Sequence, residues 1–130
     1  MLDTIRTFLE TPRIAYLSTI DLRGYPHTVP VWFAVDGDDL IFSATKDRTR
    51  VKHIQANSKG AVTIGGNLGE TEGYLIKGEF KTEEDPSRIL LNRIIRRYIS
   101  GEALERFQAR LAGEERFIFR LTPTKVIRVR

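Results

Sequence analysis

The chain has 130 residues, of which 41% are hydrophobic and 29% charged, and its formal net charge is +4. This length predicts one domain, residues 1–130. Because the chain has no cysteine, disulfides, thiolate nucleophiles, iron–sulfur clusters and cysteine-ligated zinc are excluded. The basic excess is modest and mixed with acidic residues, so we expect no nucleic-acid partner. No apolar run approaches the ~18 residues of a membrane span, and the N-terminal MLDTIRTFLE does not resemble a signal peptide. We therefore expect a cytoplasmic protein with no membrane partner.

The first 45 residues predict one short helix and three strands. Apolar residues at helical spacing predict an amphipathic helix that ends at Thr11-Pro12, namely Leu2, Ile5, Phe8 and Leu9. The segments RIAYLSTI, HTVPVWFAV and LIFSA are typical of strands, and DLRGYP and DGDD are typical of the turns between them. Residues 13–45 are thus predicted to form a three-stranded antiparallel meander. Pro30 has no N–H to donate to a ladder, which places it at a sheet edge or a bulge.

The remaining residues alternate between helical and strand patterns. A helix is predicted from Asp47 to about Asn57, capped by Asp47 or Thr45, and is followed by the strands GAVTIGG and YLIKGEFKT, with Gly78 at a bulge. Asp85-Pro86-Ser87 is predicted to start a helix that extends to Tyr98. A further helix precedes RFIFRL and KVIRVR, two strands separated by a turn at TPT. The sum is a mainly β fold, an antiparallel barrel of six or seven strands with short helices packed on it.

Most chemical motifs are missing from this sequence. There is no Walker motif, and no G-x-G-x-x-G follows a predicted strand. The two histidines, His27 and His53, have no metal-ligand spacing, so no metal site is predicted. We interpret His27 as a strand-end residue and His53 as a residue of the helix surface. The arginines after Ile89 are interpreted as the solvated side of an amphipathic helix: Arg93, Arg96 and Arg97.

The most informative feature is the basic segment that follows the third strand, in which Lys46, Arg48, Arg50 and Lys52 occupy every second position. A helix N-terminus attracts anions through its unpaired amides and its dipole, and arginine binds phosphate with two parallel hydrogen bonds. However, successive even positions rotate by ~200° on a helix, so the four charges cannot share one face. Spacing alone therefore leaves two readings open, a phosphate site and a set of solvated charges.

The segment from Arg13 to about residue 65 resembles the opening of the pyridoxamine-phosphate-oxidase-like split-barrel flavoproteins. In that family a Gly-x-Pro-x-x-x-Pro-x-Trp/Phe-type strand is followed by a hairpin, an apolar strand ending in Thr, a basic helix and an Asn-containing turn. The matching residues are Gly24, Pro26, Pro30, Trp32, Phe42, Thr45, Arg50, Ile54 and Asn57. Later segments are similar to the family's remaining strands and to its crossover helix. The resemblance implies an FMN-binding split barrel.

The resemblance also implies a homodimer with a flavin at each of two interface sites. By position, Val29, Pro30, Val31 and Trp32 are expected near the flavin ring and ribityl chain, Ala44, Thr45 and Lys46 along the middle, and Thr49, Arg50 and Lys52 at the phosphate. The expected activity is that of an FMN-dependent oxidoreductase acting on a small molecule. No side chain is assigned a catalytic role, because the cofactor carries the hydride or electrons.

Two departures from the family pattern limit this expectation. Arg48-Thr49 replaces the usual Ser or Gly before the basic pair, and the chain is shorter than true pyridoxamine phosphate oxidases, so vitamin B6 oxidation is not predicted. A deazaflavin-dependent reductase on the same fold is one alternative, and a non-catalytic flavin- or haem-binding protein is another. A nucleic-acid binder using the basic clusters ranks last, because no recognition motif accompanies them.

Overall fold

The computed structural model describes residues 1–45 and 48–130. The strands are β1 Ala15–Ile20, β2 Pro26–Val31, β3 Ala34–Asp36, β4 Asp39–Thr45, β5 Lys59–Gly65, β6 Gly73–Glu84 and β7 Arg116–Arg128. A 3-10 turn, Leu2–Ile5, continues as α1 Arg6–Leu9, and the other helices are α2 Arg48–Ala56, α3 Ile89–Ile95 and α4 Gly101–Leu111. The mainly β prediction is confirmed, as are the N-terminal helix and α2. The predicted helix cap at Asp47 lies outside the described residues.

All seven strands form one antiparallel sheet in the order β2-β1-β5-β6-β7-β4-β3. The strands at the two ends of this order, β2 and β3, are joined by Trp32 and Phe33 alone. Three Cα–Cα steps span at most roughly 11 Å, so the two ends of the sheet must lie close together. The sheet therefore curls into a barrel that is split between β2 and β3, as predicted.

The predicted three-stranded meander is wrong because HTVPVWFAV forms two strands. β2 pairs with β1, whereas β3 forms a hairpin with β4 at the opposite end of the sheet order. The break occurs at Phe33, which is fully buried. Apolar residues continue through the break, so the sequence pattern does not mark it.

Two side chains that follow α3, those of Arg97 and Tyr98, form hydrogen bonds with the backbone at the break. The Phe33 N–H donates to the Tyr98 hydroxyl oxygen at 3.1 Å, and the Arg97 guanidinium donates to the Phe33 carbonyl at 2.8 Å and to the Leu9 carbonyl at 2.7 Å. Burial lowers the pKa of Arg97 and raises the pKa of Tyr98. The backbone of Phe33 thus leaves the ladder without leaving its polar groups unpaired, and Arg97 is not the solvated residue that was predicted.

The two long strands β6 and β7 contain the predicted irregularity at Gly78. Their register shifts between Lys77 and Gly78, which pair with Lys125 and Pro123 respectively. A Cβ on Gly78 would lie 2.2 Å from the Thr122 carbonyl oxygen, so no other residue fits there. The predicted turn at TPT is wrong, because β7 passes through these residues without a break and accommodates them in the bulge.

The helix predicted to start at Asp85 begins at Ile89 instead. Asp85 still caps it, since its carboxylate accepts the Leu91 N–H at 2.9 Å, but the residues between form a turn in which Arg88 has a φ of 58°. The Arg88 guanidinium donates to the carbonyls of Leu111 and Glu114 at 2.8 and 2.6 Å. These bonds tie the start of α3 to the end of α4.

The main core fills the barrel with side chains from the inner faces of the strands and from the N-terminal turn. Its fully buried members include Leu2, Leu17, Phe33, Leu40, Val62, Ile64, Ile76, Phe119 and Leu121. Two smaller clusters lie under α3 and α4, and Trp32 packs against both. Within the described part of the chain, no helix has the length and apolar character required to cross a bilayer.

Candidate functional site

A cleft of about 540 Å³ lies beside the split in the barrel. One wall is the edge strand β2, the opposite wall is formed by α3 and α4, and α2 and β7 contribute one side chain each, Arg50 and Arg116. Trp32 lies at the break between β2 and β3, lines the cleft and packs against the clusters under α3 and α4. The segment that closes the barrel therefore also shapes the cleft.

The strand wall follows from the alternation of side chains along β2. His27, Val29 and Val31 are half-buried, while the residues between them are exposed. The register opposes these three to Thr19, Leu17 and Ala15 on the buried face of β1. Because β2 is an edge strand, this inward row is covered on one side only and lines the cleft. The prediction that Pro30 lies at a sheet edge is confirmed.

The helical wall is apolar and aromatic. Trp32 stacks on Tyr98 with ring centroids 4.7 Å apart and planes 4° apart, and its centroid lies 5.4 Å from that of Phe107. Leu91, Ile94 and Ile95 of α3 complete this wall. No charged side chain of α3 or α4 is among the described lining residues, so this side suits a flat apolar group.

The cationic side of the cleft contains Arg50 and Arg116. The Arg50 guanidinium lies 5.5 Å from the centroid of the Phe119 ring, in cation–π range. Arg116 donates to Ser43 Oγ at 3.2 Å and forms an ion pair with Glu114 at 2.6 Å. Glu114 offsets much of the charge of Arg116.

A second recess of about 240 Å³ adjoins the cleft and shares Ser43, Leu91 and Arg116 with it. Most of its other polar lining is acidic: Glu84, Asp85, Glu114 and Glu115. Carboxylates repel an anion, so the negative group of a ligand is favoured on the Arg50 side of the cleft rather than in this recess. The two neighbouring spaces therefore differ in the sign of the ligand charge that they favour.

The structure brings five of the ten predicted cofactor residues together in the cleft: Val29, Pro30, Val31, Trp32 and Arg50. Ala44 and Thr45 lie on β4 opposite Phe117 and Arg116. Thr49 and Lys52 are exposed on α2 and are not among the described lining residues. The prediction for Lys46 lies outside the described residues.

Sequence reasoning missed several lining residues because they come from distant parts of the chain. Arg116 joins the cleft only because β7 pairs with β4, and the residues of α3 and α4 join it only because these helices pack on Trp32. His27, predicted to be a strand-end residue, is the second residue of β2, and it also belongs to the inward row of that strand. Its alternation with Val29 and Val31 was the signal that could have placed it there.

The prediction that His53 is a surface residue of the helix is wrong. His53 is only 5% exposed, and its Nδ1 lies 3.0 Å from the Thr19 hydroxyl oxygen. Its ring centroid is 5.1 Å from that of His27, with the planes 73° apart. The two rings are thus in edge-to-face contact, with His27 in the lining of the cleft and His53 buried. Among the described residues no group of three potential metal ligands occurs, and the absence of a metal site stays a prediction.

The curled seven-stranded sheet with its split between β2 and β3 defines the split-barrel class. The whole chain, residues 1–130, matches the family described as pyridoxamine 5'-phosphate oxidase, and the protein belongs to this family. The family resemblance inferred from residues 13–65 is thereby confirmed. A comparison with curated protein sequences found no match.

Solved structures show the same fold at low sequence identity. An F420 reductase is 23% identical with a TM-score of 0.74, and the alignment covers 94% of each chain. A candidate pyridoxamine 5'-phosphate oxidase from Listeria innocua is 21% identical with a TM-score of 0.72, covering 98% of this chain and 96% of the other. General Stress Protein 26 from Bacillus anthracis is 20% identical with a TM-score of 0.72, covering 98% and 94%. At these identities the likeness is one of fold.

Proposed function

We propose that the protein is a flavin-dependent oxidoreductase that binds FMN in the cleft between β2 and the α3–α4 helices. The observation that carries the proposal is the polarity of this cleft, which is aromatic and apolar at Trp32 and Phe107 and cationic at Arg50. FMN has the matching polarity, with a flat apolar ring system at one end and a phosphate at the other. Membership in the pyridoxamine 5'-phosphate oxidase family supports the same assignment.

The residues of this chain fit the parts of FMN. Val29, Pro30, Val31 and Trp32 would contact the ring, and the backbone of β4 at Ala44 and Thr45, followed by Lys46, would line the ribityl chain. Arg50 would bind the phosphate by charge-assisted hydrogen bonds, with Thr49 and Lys52 near it on α2. When bound, the flavin supplies the hydride or electron transfer. The chain would orient the ring, exclude water from it and set its potential through nearby charge.

A deazaflavin is the second candidate cofactor. The specific observation in its favour is the 0.74 TM-score to an F420 reductase, whose chain is covered to the same 94% as this one. A deazaflavin also combines a flat ring with an anionic tail, so the polar cleft alone does not distinguish the two cofactors. The small-molecule substrate is a separate question, and the apolar helical wall favours substrates with an apolar face.

We propose that the protein forms a homodimer in which the outer face of the sheet contacts the second copy. Directly opposed residues share one face of a sheet, so the register places a row of uncharged side chains across five strands: Pro30, Tyr16, Thr63, Leu75 and Ile127. Tyr16 is 45% exposed. An uncharged row beside the open edge of the cleft is suited to burial against a second copy.

The decisive experiment identifies the cofactor directly. Protein purified from cells is denatured, and the released chromophore is identified by mass and absorbance; refilling with FMN, and separately with a deazaflavin, then gives both affinities. We expect FMN to be released or to bind with the higher affinity. Failure of both flavins to bind would remove the proposal, and a clear preference for the deazaflavin would select the second candidate.

Two further measurements separate enzyme from binder and test the assembly. Turnover of NADH or NADPH with a range of acceptors should be observed for the loaded protein, and its absence would favour a non-catalytic flavin-binding role. Sedimentation should give a dimer for the native chain and a monomer for Tyr16→Lys, with Ala109→Lys on the exposed surface of α4 as the charge-matched control. A cytoplasmic location, suggested by the lack of cysteine, stays a prediction.

A further inference from the structure

Tyr98, which follows α3, contacts Trp32 at two points. Its ring stacks on the Trp32 indole, with the centroids 4.7 Å apart and the planes 4° apart. Its hydroxyl oxygen accepts the Phe33 N–H at 3.1 Å, and this N–H belongs to the peptide group that joins Trp32 to Phe33. Trp32 is one of the described residues that line the cleft, and Tyr98 is not. Tyr98 therefore holds both the side chain and the backbone of a lining residue without being part of the lining.

The Tyr98 hydroxyl also contacts the backbone beside a second lining residue. It donates to the Arg13 carbonyl at 2.7 Å, and this carbonyl belongs to the peptide group between Arg13 and Ile14. Ile14 lines the cleft. A phenol has one hydrogen to donate, and this hydrogen is directed at the protein's own backbone. Tyr98 thus has the contacts of a positioning residue rather than those of a catalytic one.

The surroundings of Tyr98 leave its ring little freedom to move. The ring is half-buried, and the Arg97 guanidinium lies 5.8 Å from its centroid. Burial raises the pKa of Tyr98, so the hydroxyl keeps its proton at neutral pH and both hydrogen bonds persist. A phenol that is anchored at its hydroxyl presents a fixed plane to the indole stacked on it.

A fixed indole favours binding because nothing in the wall then has to be ordered by the ligand. A side chain that becomes immobilised during binding weakens the affinity by about two- to tenfold. The Trp32 indole avoids this loss if Tyr98 already holds it in one orientation. The effect concerns the flat part of a ligand, since Trp32 belongs to the aromatic wall and Arg50 to the cationic side of the cleft.

We infer that Tyr98 is a positioning residue of the cleft, which holds the Trp32 indole in one orientation so that the wall for a flat ring exists before the ligand binds. That this ring is a flavin rests on the proposed function. Because the phosphate is not involved, Tyr98 should affect the affinities for FMN and for riboflavin, which lacks the phosphate, by the same factor.

The first test compares Tyr98→Leu with Tyr98→Phe by titration calorimetry. Tyr98→Leu removes the ring and the hydroxyl, and it should weaken the binding of FMN and of riboflavin by about two- to tenfold each. Tyr98→Phe keeps the stacked ring and should restore most of that affinity. Unchanged affinity for both flavins in Tyr98→Leu would overturn the inference and leave the proposed function intact.

Tyr74→Leu is the matched control for a loss of stability. Tyr74 also packs against an aromatic ring, that of Phe8 at 4.9 Å, and its hydroxyl also donates a hydrogen bond, to Glu72, but it is not among the described lining residues of the cleft. This variant should unfold more easily and bind riboflavin with native affinity. An equal loss of affinity in Tyr74→Leu and Tyr98→Leu would show that the role of Tyr98 is only structural.

A double-mutant cycle tests whether Tyr98 acts through Trp32. In the Trp32→Leu background, Tyr98→Leu should cause no further loss of riboflavin affinity, because the side chain that Tyr98 positions is already gone. Losses of the same size in the native and Trp32→Leu backgrounds would overturn the inference.

The emission of Trp32 tests the inference without any variant or flavin, because the chain has one tryptophan. Time-resolved anisotropy of the native protein should show the indole following the tumbling of the whole molecule before a ligand is added. A fast local motion of the native indole would overturn the inference. If neither flavin binds, the proposed function fails, and the neutral planar dye N-phenyl-1-naphthylamine replaces them in the cycle. A dye that does not bind, or that binds Tyr98→Leu as tightly as the native protein, would then overturn the inference.

Discussion

Two basic segments of similar appearance in the sequence have different roles in the structure. In α2, Arg50 lines the cleft with its guanidinium 5.5 Å from the Phe119 ring centroid. After Ile89, Arg93 forms an ion pair with Asp36 at 2.6 Å and donates to the Val35 carbonyl, and Arg97 donates to two backbone carbonyls. The second segment stabilises the protein's own fold, while the first lies where a ligand can reach it. The place of an arginine in the fold, and not its sequence context, separates a structural role from a binding role.

The largest expected effect tests the structural role of Arg97. Arg97→Ala leaves the Phe33 and Leu9 carbonyls without their charged donor, which should lower the free energy of unfolding by about 3 kcal/mol. Urea denaturation followed by circular dichroism measures this change. Arg96→Ala removes the same charge from the exposed neighbouring residue and should change stability by less than about 0.5 kcal/mol. Equal losses in the two variants would contradict the distinction between buried and exposed arginines.

The next effect is on binding rather than on stability. Arg50→Ala should weaken FMN affinity at least tenfold, about 1.4 kcal/mol, because charge-assisted bonds to the phosphate are lost. Riboflavin affinity should change far less, and isothermal titration measures both. Arg106→Ala, an exposed arginine of α4, is the charge-matched control. Unchanged FMN affinity in Arg50→Ala would remove this residue from the site.

A smaller effect on stability is expected from Tyr98, whose uncharged hydroxyl is the other hydrogen-bond partner of Phe33. Tyr98→Phe keeps the stacking on Trp32 but removes the hydroxyl that accepts the Phe33 N–H and donates to the Arg13 carbonyl at 2.7 Å. The free energy of unfolding should fall by about 1 to 2 kcal/mol. Thermal denaturation and the native fluorescence spectrum together would show whether the stack survives. A variant as stable as the native protein would mean that these backbone groups find other partners.

The smallest effect concerns the ion pairs of Asp36. The hydrogen bonds from Arg93, and next those from Arg120, hold the pKa of Asp36 below its usual value of 3.8. The stabilisation is therefore present above that value and is lost as pH falls through the lower pKa of the folded state. Asp36→Asn should reduce stability by up to about 1 kcal/mol at pH 7 and by progressively less in acid. A difference that stays constant down to pH 2 would show that charge is not its cause.

The prediction of the fold from sequence succeeded where the signal was local. Alternation identified the strand segments, and the bulge at Gly78 followed from a glycine within a strand pattern. The turn signal at TPT failed, because the bulge accommodates these residues within β7. The break at Phe33 was missed because the apolar run continues through it and the groups that enforce it, Arg97 and Tyr98, are more than sixty residues away. Local patterns cannot reveal where the backbone of a strand leaves the sheet and forms its hydrogen bonds with distant side chains instead.

The same limit applies to the candidate site. The β2 residues and Arg50 were predicted because they belong to one contiguous family pattern. Arg116 was missed because only the pairing of β7 with β4 brings it to the cleft. His53 was misread because a histidine on a short basic helix has the same sequence signature whether that face meets solvent or, as here, the buried Thr19 hydroxyl.

The position of Trp32 has a practical consequence, because the chain contains a single tryptophan. Its indole is stacked face to face on Tyr98 in the wall of the cleft, directly before the fully buried residue at which the barrel is joined. Intrinsic emission from this protein therefore originates from one known environment. Ligand binding in the cleft and separation of β2 from β3 should each alter that emission. The fluorescence of an unlabelled sample therefore reports on both events.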